Sequence, residues 1–281
     1  MKTSIDRILI PLDGSSQGDS ALDAIGPLLR MHHPEVLLLG VMDEEHFDPK
    51  RRTHLDFTCN ALRSKGVDAS IALREGKDAA TQILDFARER GVDLIAMSTH
   101  GRSGLSRIFV GSVTEEVLRR TEVPLLVCRP GAAVGEWDRI VVALDGSERA
   151  EEILPEAARI ARAQKAGVDL VRVALPVVSA GGVGEFPLVF PAENPLPYLK
   201  AVSGRLQAEG VDARAVGLEG RAAFEILKYA KDNNAGLICM TTHGRTGVAR
   251  VLLGSIAEEV LRHATCPVLL RRMARERVEA K

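Results

Sequence analysis

Ile8–Ser15 reads ILIPLDGS, and the chain repeats this stretch as IVVALDGS at Ile140–Ser147. Each copy is an apolar run closed by Asp-Gly-Ser, which is typical of a buried strand that ends in a tight turn. Two further blocks recur in the same order, STHGRSG at Ser98–Gly104 with TTHGRTG at Thr241–Gly247, and VGSVTEEVL at Val110–Leu118 with LGSIAEEVL at Leu253–Leu261. This ordered self-similarity indicates that the chain is a duplication of one domain.

The spacings within the two copies also agree, apart from one insertion. Asp13 and Val41 are 28 positions apart, and so are Asp145 and Val173. Between the second strand and the Thr-His-Gly block, the second copy is 11 residues longer than the first. Pro176–Pro197 is rich in proline and glycine, so we predict that this stretch holds the extra residues as a loop.

Short apolar runs alternate with helical patterns along both copies. This alternation predicts an α/β fold of two tandem doubly wound domains, in which helices cover both faces of a parallel sheet. The stretch Arg129–Trp137 contains Pro and Gly and interrupts the pattern. It therefore predicts domain limits of 1–132 and 138–273.

The last strand of each copy, Leu125–Cys128 and Val268–Leu270, is short and apolar. An apolar strand at the edge of a sheet needs to be covered. Because a short linker joins the two copies, each holds the other at a high effective concentration. We therefore predict that these edges pair within the chain and form an intramolecular pseudo-dimer.

Composition excludes several classes of partner. The chain has 37 Lys+Arg against 38 Asp+Glu, and only 4% of its residues are aromatic. Nucleic-acid binding needs clustered positive charge or stacking aromatic side chains, so no nucleic-acid partner is expected. No apolar run approaches the roughly 18–20 residues of a membrane span, and the first ten residues lack the apolar core of a signal peptide. We therefore expect no membrane association and a cytoplasmic location. The four cysteines show no CxxC spacing, so we expect them to be buried thiols.

Asp13 and Asp145 each end the first strand of their copy. In open parallel sheets, ligands bind beyond the carboxyl ends of the strands, at the point where the strand order reverses. A carboxylate there can accept a ribose hydroxyl or hold a divalent metal ion beside a phosphate. Aspartate is also common as a turn or helix N-cap residue, and its position alone leaves both roles open.

A Gly-Ser pair opens a helix late in each copy. Nine residues separate Gly101 from Gly111-Ser112, and nine separate Gly244 from Gly254-Ser255. Exposed amides and the positive end of the helix dipole favour a polyphosphate at such a place, although an ordinary helix cap fits the pair as well. The chain has neither a GxxxxGK[ST] loop nor a GxGxxG fingerprint, which makes a Walker-type or dinucleotide site a poor fit.

The combined order of these blocks resembles the universal stress protein family, and both halves of the chain match it. The resemblance implies a Rossmann-like, adenine nucleotide alpha hydrolase-like fold with a five-stranded parallel sheet in each domain. It implies ATP or another adenine nucleotide as the ligand, with Mg²⁺ held through ATP at Asp13 and Asp145. It also implies domains that pair as separate family members do in homodimers, so a homodimer of the whole chain is a further possibility. The first glycine of the family's G-x-x-G nucleotide motif is replaced by Ser98 and Thr241.

The resemblance further implies one binding site in each domain. The first-domain site would comprise Leu12, Asp13, Val41, Met97, Gly101, Gly111, Ser112 and Val113. The second-domain site would comprise Leu144, Asp145, Val173, Met240, Gly244, Gly254, Ser255 and Ile256. Val41 and Val173 would meet adenine through their backbone atoms, but both end apolar runs and would serve equally well in the core.

His100 and His243 also repeat, but no nucleophile and carboxylate repeat with them as a catalytic set needs. We therefore interpret the histidines as structural or loop-stabilising. Arg102 and Arg245 could contact phosphate, although arginines exposed at the surface are the commoner case. The leading hypothesis is a nucleotide-binding stress-response protein that senses or regulates through its bound state. A slow ATPase and a nucleotide-free dimerisation scaffold are the alternatives. Two nucleotide sites per chain are predicted, the first being the tighter because Thr241 is bulkier than Ser98.

Overall fold

A computed structural model describes residues 4–15, 17–42, 49–99, 111–132, 135–175, 177–179, 188–190, 193–242 and 253–272. The first half contains β1 (Arg7–Pro11), α1 (Ser20–Ala24), α2 (Gly26–His32), β2 (Glu35–Met42), α3 (Pro49–Ser64), β3 (Ala69–Glu75), α4 (Ala79–Glu89), β4 (Leu94–Ser98), α5 (Ser112–Arg120) and β5 (Leu125–Cys128). The second half contains β6 (Arg139–Ala143), α6 (Glu148–Glu151), α7 (Leu154–Gln164), β7 (Gly167–Ala174), β8 (Val177–Ser179), β9 (Leu188–Phe190), α8 (Leu196–Ala208), β10 (Ala213–Glu219), α9 (Ala222–Asp232), β11 (Leu237–Thr241), α10 (Ser255–His263) and β12 (Val268–Arg271). The two halves thus repeat one order of strands and helices, with β8 and β9 as the addition.

Ten of the twelve described strands, five from each half, form one sheet in the order β10-β7-β6-β11-β12-β5-β4-β1-β2-β3. Within each half, the five strands that belong to this sheet are parallel, as the alternating pattern predicts. The halves join through β5 and β12, which pair antiparallel with Leu126 opposite Leu269. The predicted pairing of the two apolar edges is therefore confirmed. Because this pairing is antiparallel, the carboxyl ends of the strands lie at opposite edges of the sheet in the two halves.

Helices cover both faces of the sheet and enclose two apolar cores. One core packs α1, α2, α3, α7 and α8 against the sheet, and the other packs α4, α5, α9 and α10 against the opposite face. Each core runs through both halves, since buried side chains of β5 and β12 contribute to both. Among the described helices, none has the length and apolar character needed to cross a bilayer.

The insertion in the second half differs from the predicted loop. Val177–Ser179 and Leu188–Phe190 pair antiparallel as a small separate sheet, and α8 begins at Leu196, inside the predicted loop. Both short strands consist largely of valine, leucine and phenylalanine, which favour extended pairing over an irregular loop. Proline and glycine therefore marked the insertion correctly but not its internal structure.

One charged cluster lies inside the sheet of the second half. Asp169 on β7 is fully buried, and its carboxylate accepts hydrogen bonds from Arg139 (2.9 Å), from Arg214 through two nitrogens, and from the Tyr229 hydroxyl (3.1 Å). Hydrogen bonding to Asp169 raises the pKa of Arg214 above its ordinary value. The first half has the apolar Leu37 at the position of Asp169, so this network belongs to the second half alone.

The cysteines are all buried, as the sequence predicts. Burial raises the pKa of Cys128 to about 11 and that of Cys266 to about 12, and raises the pKa of Cys239 well above its ordinary value. Since the thiolate is the reactive form and Cys59 is only 2% exposed, we expect no cysteine of the native protein to react with a thiol reagent such as DTNB within minutes at pH 8. All 4 should react after denaturation. Rapid labelling of the native protein would contradict this expectation.

Candidate functional site

The second half contains a cavity of about 500 Å³ at the carboxyl ends of β6, β7 and β11, beside the first turn of α10. This volume lies within the range of roughly 300–1,000 Å³ that is usual for small-molecule sites. The cavity is lined by Ala143, Leu144, Asp145, Ala150, Arg172, Val173, Ala174, Leu175, Glu193, Ala222, Ile226, Met240, Thr241, Thr242, Gly254, Ser255, Ile256 and Ala257. Because β6 lies between β7 and β11, the cavity sits where the strand order reverses, the usual ligand position in such sheets.

Asp145 anchors the turn that follows β6. Its Oδ1 accepts hydrogen bonds from the backbone N–H (2.9 Å) and the hydroxyl (2.6 Å) of Ser147. Ser147 in turn caps α6 by accepting the N–H of Ala150 at 3.2 Å. Gly146 adopts a φ of 88°, a left-handed conformation that favours glycine and allows the chain to turn at this point. The turn role expected for Asp145 is therefore present, and the same carboxylate also lines the cavity.

The first half repeats this turn almost atom for atom. Asp13 Oδ1 accepts the backbone N–H (3.0 Å) and the hydroxyl (2.6 Å) of Ser15, while Gly14 has a φ of 80°. The Ser15 hydroxyl oxygen accepts the N–H of Gly18 at 3.1 Å. The Asp-Gly-Ser blocks identified in the sequence are thus equivalent in three dimensions.

The Gly-Ser pairs lie at helix starts, as the sequence predicts. Gly254 is the N-cap of α10, and its N–H donates to the Thr242 carbonyl at 2.8 Å. Ser255 is consequently the first helical residue, and within the described residues no side chain caps α10. The first N–H groups of a helix have no intrahelical acceptor. Since residues 255–257 line the cavity, these donors are available at its wall.

The start of α5 has the same backbone arrangement with one additional side-chain contact. Gly111 is the N-cap, and its N–H donates to the Thr99 carbonyl at 2.6 Å. Thr114 in the first turn donates its hydroxyl to the Ser98 carbonyl at 2.8 Å. Ala257 occupies the matching position of α10 and has no hydroxyl, so the two helix starts differ.

The structure brings most of the predicted second-domain residues together. Those that line the cavity are Leu144, Asp145, Val173, Met240, Gly254, Ser255 and Ile256. In the first half, the corresponding strand ends and helix start hold Leu12, Asp13, Val41, Met97, Gly111, Ser112 and Val113. Gly101, Gly244, His100, His243, Arg102 and Arg245 lie outside the described residues.

Arg172 is a cavity residue that the sequence interpretation missed. It lies on β7 inside an apolar run, is 6% exposed, and donates to the Glu193 carboxylate at 2.8 Å. Its guanidinium stands 5.5 Å from the ring centre of Tyr198, and burial raises the pKa of that tyrosine. The first half has Gly40 at the equivalent position. A direct comparison of the two copies at this position would have revealed the difference.

Arg51 is a second residue that the sequence did not single out. It lies in the first turn of α3, and its Nη1 donates to the backbone carbonyl of Val41 at 3.1 Å. Its Nε is buried and has no hydrogen-bond partner among the described residues. The Arg51 guanidinium thus lies at the carboxyl end of β2 in the first half. The equivalent strand end in the second half carries Val173, which lines the cavity.

Metal ligands are sparse around both strand ends. No group of three or more His, Cys, Asp or Glu side chains in the described ranges is arranged to hold a metal ion. Asp13 and Asp145 supply one carboxylate each. Mg²⁺ is commonly held by one or two carboxylates together with substrate phosphates and water. The residues present are therefore compatible with Mg²⁺ only as a companion of a bound phosphate.

Comparison with known proteins gives a consistent assignment. A universal stress protein of Methanocaldococcus jannaschii is 36% identical over 138 residues, which cover 48% of this chain and 81% of that protein. One from Mycobacterium tuberculosis is 28% identical over 225 residues, 76% of this chain and 74% of that protein. The crystal structure of a universal stress protein from Archaeoglobus fulgidus matches the fold with a TM-score of 0.77 at 22% identity, covering 96% of this chain and 99% of that one.

The family model confirms the resemblance carried by the repeated blocks. It matches twice in tandem, over residues 4–129 and 136–272. The two matches follow the two halves of the ten-stranded sheet and include both sets of strand ends described above. The chain belongs to the universal stress protein family, as two tandem domains of an α/β fold.

Proposed function

We propose that this protein binds an adenine nucleotide, ATP with Mg²⁺, and acts in stress response as a sensor or regulator through its bound state. The observation that carries the proposal is the cavity of about 500 Å³ in the second domain, lined by seven of the eight residues predicted for that site. The functional units of the proposal are residues 1–132 and 138–273.

The chemistry of the cavity wall changes from one part to another in a way that suits a nucleotide. Val173, Ile226 and Met240 offer apolar contact for a base. The Asp145 carboxylate suits a ribose hydroxyl or a magnesium ion, and the first turn of α10 offers amides and a positive dipole end for phosphate. Ile256 on that turn is 41% exposed, a large apolar side chain that a bound ligand would cover.

Binding rather than rapid turnover is the proposed activity because both cavity carboxylates are already engaged. Asp145 accepts two hydrogen bonds from Ser147, and Glu193 is paired with Arg172. A general base must be within hydrogen-bond reach of the proton it removes and must be oriented towards it, whereas these carboxylates are oriented by Ser147 and Arg172. Phosphate release by the purified protein would distinguish a slow ATPase from a binding protein.

The proposal predicts that ATP with Mg²⁺ stabilises the folded protein. A ligand at about 100 times its Kd adds about 2.7 kcal/mol when it binds only the native state. For a chain of this size, each kcal/mol corresponds to roughly 2–4 °C in Tm. Thermal unfolding with and without millimolar ATP and Mg²⁺ measures the shift, with CTP and Mg²⁺ as a control for the base. An unchanged Tm in protein freed of bound nucleotide would refute the proposal.

A further inference from the structure

β2 extends beyond the end of β1, and no described strand pairs with β2 on that side of its last residues. Leu12 donates its N–H to the Leu39 carbonyl at 2.9 Å, and among the described residues this is the last backbone hydrogen bond between the two chain segments. On the other side of β2, the Met42 carbonyl accepts the N–H of Gly76 at 2.9 Å. Carbonyls of alternate residues in a strand point to opposite sides. The Val41 carbonyl therefore points to the same side as that of Leu39, into the gap beyond the end of β1.

The second domain has the same geometry, and there the gap is the cavity. Leu144 donates to the Val171 carbonyl at 2.8 Å, and the Ala174 carbonyl accepts from Gly220 at 3.1 Å. The carbonyl of Val173 therefore points into the gap beyond β6, and Val173 lines the cavity. Among the described residues, no backbone N–H donates to the Val173 carbonyl, and a carbonyl at this place can accept a hydrogen bond from the exocyclic amino group of a purine base.

In the first domain, this acceptor is already taken by a charged donor. Arg51 Nη1 lies 3.1 Å from the Val41 carbonyl oxygen. Hydrogen bonds from an ionised donor are stronger than those from a neutral amine. Because Arg51 Nη1 lies in front of the Val41 oxygen, a base that donated to this carbonyl would have to compete with the guanidinium for it.

Sequence position shows why the start of α8 supplies no such donor in the second domain. Cys59 on α3 contacts the carbonyl of the first residue of β3, and Ser203 on α8 contacts that of β10, so these residues are equivalent. Counting back along both helices places Pro195 at the position of Arg51. Proline has no side-chain donor, so the Val173 carbonyl meets no competitor from the start of α8.

We infer that Arg51 competes with the base for the Val41 carbonyl and keeps the first site closed, so that the chain binds one nucleotide, in the second domain. The inference rests on the proposed function and extends it, since it assigns unequal roles to the two sites. It reverses the order of affinities expected from Ser98 and Thr241. Of the two sites that the duplication produced, the second is open to a nucleotide. In the first, Arg51 makes the hydrogen bond that the base would otherwise make.

Titration calorimetry of the full chain with ATP and Mg²⁺ tests this inference. Wild type should bind one equivalent of nucleotide. Arg51→Met removes every donor but keeps the apolar stem that packs at the start of α3, and it should bind two equivalents. Arg51→Lys retains a charged donor and should keep the stoichiometry of one. The matched control is Arg52→Met, since Arg52 is the next residue and pairs only with Asp56 on the same helix among the described residues.

The affinity of the opened site should rise by about tenfold or more, the factor that corresponds to about 1.4 kcal/mol. Circular dichroism confirms that each variant is folded, and Arg51→Ala serves as a second donor-free variant. Two equal sites in wild type, or a stoichiometry of one in both folded donor-free variants, would overturn the inference and leave the proposed function standing. No ATP binding by wild type or by any variant would overturn both.

Discussion

Gly254→Val is expected to lower the affinity of the second domain for ATP by at least about 100-fold, or about 2.7 kcal/mol. Gly254 lines the cavity at the start of α10, where phosphate would approach the backbone, and a valine side chain would occupy that space. The backbone itself tolerates the change, because its φ of −62° and ψ of 142° are accessible to valine. The variant should therefore remain folded while losing ligand.

The matched control is Gly111→Val at the start of α5. Gly111 has nearly the same conformation, with φ of −54° and ψ of 143°, so any general cost of a valine N-cap appears in both variants. With the first site closed by Arg51, this control should bind ATP as wild type does. Calorimetry on the three proteins measures both effects. An unchanged Kd for Gly254→Val would place the ligand elsewhere than at α10.

Removing both arginines that face Asp169 is expected to produce the largest loss of stability. Asp169 is fully buried, while Arg139 and Arg214 are partly exposed. In the double variant Arg139→Ala/Arg214→Ala, the buried Asp169 carboxylate keeps only one hydrogen-bond partner among the described residues, the Tyr229 hydroxyl. Breaking a buried ion pair in this way costs about 3–5 kcal/mol. Chemical denaturation should show a free energy of unfolding lower by that amount.

Two comparisons isolate the cause of that loss. Arg7→Ala removes the equivalent arginine of the first domain, which pairs with the surface carboxylate of Glu35, and should cost about 1 kcal/mol or less. Adding Asp169→Leu to the double variant supplies the residue that the first domain has at this place, Leu37, and should restore much of the stability. A triple variant as unstable as the double variant would show that the unpaired Asp169 carboxylate is not the cause of the lost stability.

The repeated blocks in the sequence determined the fold class and the place of the candidate site. Asp145 and Gly254 could be predicted to meet because motifs that follow parallel strands share one edge of the sheet, whatever the loops between them do. The pairing of β5 with β12 was also predictable, since an apolar edge strand needs a partner. These features depend on local sequence pattern and on topology, and both can be inferred from a sequence that contains an internal duplication.

Only the tertiary structure shows which side chains lie beside the Val41 and Val173 carbonyls, where the base of a nucleotide would bind. Arg51 is an ordinary charged residue in a helical pattern, and only the packing of α3 brings its guanidinium to the Val41 carbonyl. Arg172 and Asp169 interrupt apolar strand runs without disturbing the strand pattern, so their partners, Glu193 and the Arg139–Arg214 pair, could not be named in advance. Hydrophobic periodicity specifies which face a residue occupies. It does not specify which side chain from another element reaches that face, because this depends on helix placement to within the few ångströms of a hydrogen bond.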